Sequence, residues 1–167
     1  MNLTAGIPAW VLRGVVGCAV VLIMVLLAGQ GVSWLPVGLV GLFGVLTVLA
    51  PASPAPSFVI IATAVCLAVA SEDPFGIGVL LLLPLVHLVH IGSAVTAVIP
   101  GTARVHLAAL RPAAVRFVLV QVLVFALAGV AALVPKTVTP AGLEIAALIG
   151  VAALALLAAR LIMKRPQ

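Results

Sequence analysis

Long apolar runs fill this chain, and short breaks rich in Gly, Pro or charge separate them. Read in order, the runs predict helices over about 10–28, 34–50, 57–70, 75–99, 113–134 and 140–163. Gly29-Gln30-Gly31 marks a tight turn after the first, with Trp10 and Arg13 as its cytoplasmic anchors. Pro36 suits the first turn of the second, and the Pro-rich run Pro51 to Pro56 cannot continue it. Ser71-Glu72-Asp73-Pro74 reads as a turn with Asp73 as N-cap and Pro74 as first helical residue. Residues 100–112 are too short and too charged to cross, so they read as a cytoplasmic interfacial segment. Pro112 then starts the fifth helix, and Thr139-Pro140 caps the sixth.

The expected fold is therefore all-α, a polytopic transmembrane helical bundle of about six membrane-spanning helices in one integral-membrane domain over 1–167. Segments two and three are short, and the Pro-rich break between them also fits a re-entrant hairpin with Ser53 and Pro54 near the midplane. Helices should pack through small residues such as Gly38, Gly41, Ala128, Ala132, Ala146 and Gly150, and the Gly38, Gly41, Gly44 series leaves a groove for another backbone.

Composition agrees. The 167 residues are 66% hydrophobic and 7% charged, with mean hydropathy +1.50, too little charge to cover a soluble domain. The net charge of +5 does not point to nucleic acid, because the basic residues sit at the ends of apolar runs. Six crossings put Arg13, Arg104, Arg111, Arg116, Arg160, Lys164 and Arg165 on one face, with Lys136, Glu72 and Asp73 opposite. The positive-inside rule then places both termini in the cytoplasm of a plasma membrane, and the Ala, Val, Gly, Pro and Arg bias suits a high-GC bacterial genome. Val15 to Cys18 has the shape of a lipoprotein cleavage box, but Arg13 interrupts the apolar run such a box requires, so the segment reads as a signal-anchor helix. Cys18 and Cys66 lie inside apolar runs and imply no disulfide framework.

The segment Phe75–Ile99 looks like the element the rest is organised around, since it carries His87 and His90 near the membrane centre, with Pro84 one turn earlier. At a spacing of three the two rings share a helical face and can relay a proton or share a metal. Gln121 is their natural partner, because His90 and Gln121 both fall within about 9–14 Å of the cytoplasmic surface at helical rise. Thr63 and Cys18 lie at similar depth. The plainer reading is that neutral histidines bond backbone carbonyls and hold helices together. Arg104, His106, Arg111 and Arg116 form a cytoplasmic basic rim that topology alone explains, with anionic lipid or an acidic partner as the sharper option. Glu144 reads as a shallow interfacial charge paired with Lys136.

Catalysis is not expected. The three carboxylates form no acid–base pair, and there is no nucleophile–base pair or phosphate loop. A membrane metalloprotease needs two His at i, i+4 with a Glu between them, which is absent. No cofactor or metal is expected. Three functions stay open: a non-catalytic membrane subunit or scaffold acting through a partner protein, a small oligomeric transporter or channel lined by His87, His90 and Gln121, and a metal- or haem-binding redox protein.

Overall fold

The computed structural model describes residues 6–71, 73, 75–133 and 149. The chain divides into two compact units, Met1–Ala132 and Leu133–Gln167. Among the described residues there are five helices: α1 (Ala9–Gly29), α2 (Trp34–Leu49), α3 (Ala55–Ala70), α4 (Ile77–Val98) and α5 (Leu107–Ala132). A two-stranded antiparallel ribbon joins β1 (Ile7–Pro8) to β2 (Arg104–Val105). Apart from Ile149, the predicted sixth helix lies outside the described residues, as do Lys136, Glu144, Glu72, Pro74, Ala146, Gly150, Arg160, Lys164 and Arg165.

α1, α4 and α5 are long and apolar enough to cross a membrane, at about 31, 33 and 39 Å by helical rise. α2 and α3 have 16 residues each, about 24 Å, short of a typical hydrocarbon core. The fold is all-helical apart from the ribbon, and three full-length candidate spans stand among the described residues where the sequence suggested about six across the whole chain.

α1 ends in a hydrogen-bonded C-cap. Gly31 takes a positive φ of 81°, which costs glycine little, and Gly31 N–H and Val32 N–H donate to the carbonyls of Ala28 and Leu27. The chain thus reverses without charge, and α2 runs back along α1. Their register is set by close approach: a Cβ at Gly44 would collide with Val20, one at Gly41 would lie 2.8 Å from Met24 Cε, and one at Gly17 would lie 3.4 Å from Val48. A Cβ at Gly38 would meet nothing within 4 Å, and Ala132 is exposed, so neither marks a close helix approach among the described residues.

The core centres on α1, not on α4 as the histidine pair suggested. Val16, Ala19, Val20, Ile23 and Leu27 supply half of the buried cluster, which Val40, Val59, Cys66, Leu82 and Val89 complete. Spacings of three and four put these α1 residues on one broad face, with α2 and α4 on either side of it. α4 is antiparallel to α1: Gly78 lies against Gln30 at one end, and Gly101 lies beside the Arg13 guanidinium at the other. Gly92 lets α4 approach Val16, where a Cβ would come within 2.6 Å of Cγ2.

Two boundaries differ from expectation. Asp73 does not cap α4. Its Oδ1 accepts from Phe75 N–H at 3.2 Å and its carbonyl accepts from Gly76 N–H at 3.1 Å, which closes a turn before Gly76, the residue that precedes the helix. Residues 100–112 are not one continuous segment. Arg104 and Val105 pair with β1, Ala9 N–H donates to the Ala103 carbonyl at 3.0 Å, and α5 begins at Leu107 with Pro112 inside it. The pairing delivers the chain to a helix start, and Pro112 comes early enough to remove one hydrogen bond without ending the helix.

Candidate functional site

α4 carries both histidines at mid-length. His87 lies about 15 Å from Ile77 and about 17 Å from Val98 along the axis, the middle of the span. Pro84, inside the helix, leaves the Leu80 carbonyl without its usual donor, yet neither histidine takes that carbonyl among the described hydrogen bonds. Instead the side chain of Gln121 reaches across from α5, and its Nε2 donates to His87 Nδ1 at 2.7 Å. With Nδ1 accepting, the neutral ring carries its proton on Nε2.

Gln121 is the one buried residue on α5 among those described, at 9% exposure. Its Oε1 is buried and has no hydrogen-bond partner among the described residues. Phe117, one turn earlier on the same face, stacks on His87 with centroids 5.0 Å apart and planes at 28°. The ring is thus held by a hydrogen bond in its plane and an aromatic face beside it. Phe117 escaped the sequence reading, although its i−4 relation to Gln121 was there to be read.

His90 is not brought to Gln121. Its side chain is exposed and makes no bond among the described residues, and only its backbone carbonyl is engaged, by Ser93 Oγ at 3.0 Å. Both rings line an open groove of about 500 Å³ between α3 and α4, whose other walls are Ile60, Thr63, Ala64, Leu67, Leu82, Leu83 and Val86. Thr63 does not face the groove as a free donor, because its hydroxyl donates to the Val59 carbonyl at 2.7 Å. Cys18 lies elsewhere, in a groove between α1 and α4 with Leu22, Leu85 and Leu88.

The other buried hydroxyls follow Thr63. Thr47 donates to Phe43, Thr96 to Gly92 and Ser93, and Ser93 to His90, each within its own helix. His87 with Gln121 is a hydrogen-bonded side-chain pair that crosses between helices. Both cysteines are free, and no cluster of three His, Cys, Asp or Glu lies together among the described residues.

The basic residues gather toward one end. Arg104 is in β2, His106 lies between β2 and α5, and Arg111 is in the second turn of α5, all exposed. Because α5 starts six residues earlier than expected, Arg116 lies about 14 Å into the helix, deeper than a rim position. Arg13, on α1, reaches Gly101 in the turn after α4. No family model, curated protein or solved structure matches this chain.

Proposed function

We propose that this chain is a multi-pass subunit of a bacterial plasma membrane, a non-catalytic scaffold that acts through a partner protein. The observation that carries this reading is the disposition of polar groups at membrane depth. Among the described residues each buried hydroxyl is bonded to its own helix and His87 and Gln121 are bonded to each other, so the groove between α1 and α2 is wholly apolar and the one between α3 and α4 is apolar apart from His87, His90 and Thr63. A conducting path needs polar groups in sequence along it. A scaffold needs rigid helices and apolar faces, and α5 offers such a face, with Val118, Leu119, Val122, Leu123 and Leu127 exposed.

In this reading six segments cross or enter the bilayer, counting 140–163, and both termini are cytoplasmic. The ribbon supports that orientation by gathering the start of α1 and the start of α5 on the side where Arg13, Arg104 and Arg111 lie. A hairpin that returns to its own side leaves the orientation unchanged.

A small oligomeric transporter or channel is the second reading, favoured by the exposed His90 on the same groove as His87. Proton flux into proteoliposomes, measured for wild type, His87→Ala and His90→Ala, separates the two. The scaffold predicts no flux above empty liposomes and only a stability loss in the variants. Flux in wild type that either variant abolishes, with the fold intact, would overturn it.

A further inference from the structure

α2 runs back along α1 but does not reach its beginning. Val48 stands beside Gly17, two turns into α1 and about 12 Å from Ala9 by helical rise. The α2 end of the turn to α3 therefore lies about 10 Å below the level at which α1 and the ribbon begin. On the α3 side the shortfall is smaller: Ile60 and His90 wall one groove, α3 begins about 8 Å beyond Ile60, and α4 runs on about 12 Å beyond His90, a difference of about 4–5 Å.

The tip of this hairpin answers most of its own donors, the exposed Ala52 N–H apart. Pro51, Pro54 and Pro56 have no N–H. Ser53 N–H donates to Ala50, Ala55 N–H to Ser53 Oγ, and Ser57 and Phe58 N–H both to Pro54. Such a turn tolerates a dry neighbour.

One group beside it is not answered. Arg13 continues the α1 stripe of Gly17, Val20 and Met24 by one more turn, past the point where α2 stops covering it. Its guanidinium lies 3.8 Å from the Cβ position of Gly101, its Nε is buried, and it makes no hydrogen bond or ion pair with any described residue. The one acidic side chain among the described residues, Asp73, sits before α4, at the opposite end of that helix. A half-buried guanidinium without an anion is costly, and its planar fork matches two oxygens of a phosphate.

We infer that the recess above the α2–α3 tip holds the phosphate of a phospholipid headgroup, with Arg13 as its ligand. The inference rests on α1 and α4 being membrane spans. A hairpin shorter than the bilayer thins it locally and draws headgroups down, which brings the phosphate to the level of Arg13. Arg13 then serves as a lipid anchor below the general surface, unlike the exposed Arg111 and Arg116.

Native mass spectrometry of protein purified in mild detergent tests this. Wild type is expected to retain one phospholipid. Arg13→Gln should lower that occupancy roughly tenfold, as for loss of a bidentate charged pair, while Arg13→Lys keeps part of it and Arg116→Gln keeps all. A second arm uses wild type alone, so it does not depend on variants folding. Short-chain phosphatidylglycerol should raise the Tm, and the matching diacylglycerol should not. Undiminished lipid retention in Arg13→Gln, or equal stabilisation by diacylglycerol, overturns the inference. Stabilisation by inorganic phosphate as strong as by the lipid would overturn the lipid source and assign the site to a soluble anion. Flux assays do not bear on any of these outcomes.

Discussion

Replacing His87 and Gln121 by Leu, singly and together, measures the polar link between α4 and α5. The two singles should differ. His87→Leu leaves the Gln121 amide, already short of a partner for Oε1, with no bond at either end. A buried amide half left open costs about 1–3 kcal/mol, and losing the Phe117 stack adds about 0.5–1.5 kcal/mol. Gln121→Leu opens only Nδ1 on a half-buried ring and removes the orphaned Oε1 with it, so its cost is nearer ~1 kcal/mol. The double variant carries no unpaired polar group of this pair. Its loss should fall short of the summed singles by about 1 kcal/mol, in the range found for hydrogen bonds between membrane helices. Reversible unfolding in mixed micelles, or steric trapping in bicelles, gives all three values. Additivity within about 0.3 kcal/mol, or a Gln121 variant worse than the His87 variant, would refute the bonding and burial described.

Three further predictions follow from packing. Gly44→Ala should destabilise by about 1–3 kcal/mol because its Cβ meets Val20, whereas Gly38→Ala, facing open space, should be neutral or stabilising by thermal unfolding. Leu27→Ala should lower stability by about 2–5 kcal/mol in the same assay, since Leu27 is fully buried and α1 holds half the core. Thr63→Val should stay within about 1 kcal/mol, because the hydroxyl bonds only its own helix; a larger loss would mean that it bonds a neighbour.

The long spans were legible because breakers bound them. Gly29 to Gly31 stops α1, and α4 ends one residue from its predicted limit. The start of α5 was not. Pro112 suggested a first-turn proline, but the start is fixed at Leu107 by the pairing of Pro8 with Arg104, a contact between residues far apart in sequence. Gln121 was found by depth, which helical rise supplies. Depth pointed to His90, while the rotation of α5 about its axis, visible only in packing, chose His87. Low polarity around every helix explains that gap: α1, α2, α4 and α5 have no charged stripe to show which side faces inward. The glycines of α2 gave the right face at Gly41 and Gly44 and the wrong one at Gly38, because a three-residue repeat drifts off the contact within three turns.

The scaffold reading stands or falls on what accompanies the chain in its own membrane. Gentle extraction of the tagged protein, followed by native mass measurement, is the most direct test. The account predicts a complex in which a second protein is present at fixed stoichiometry. Copies of this chain alone, with no other polypeptide, would contradict it and make the groove bearing His87 and His90 the place to look for activity.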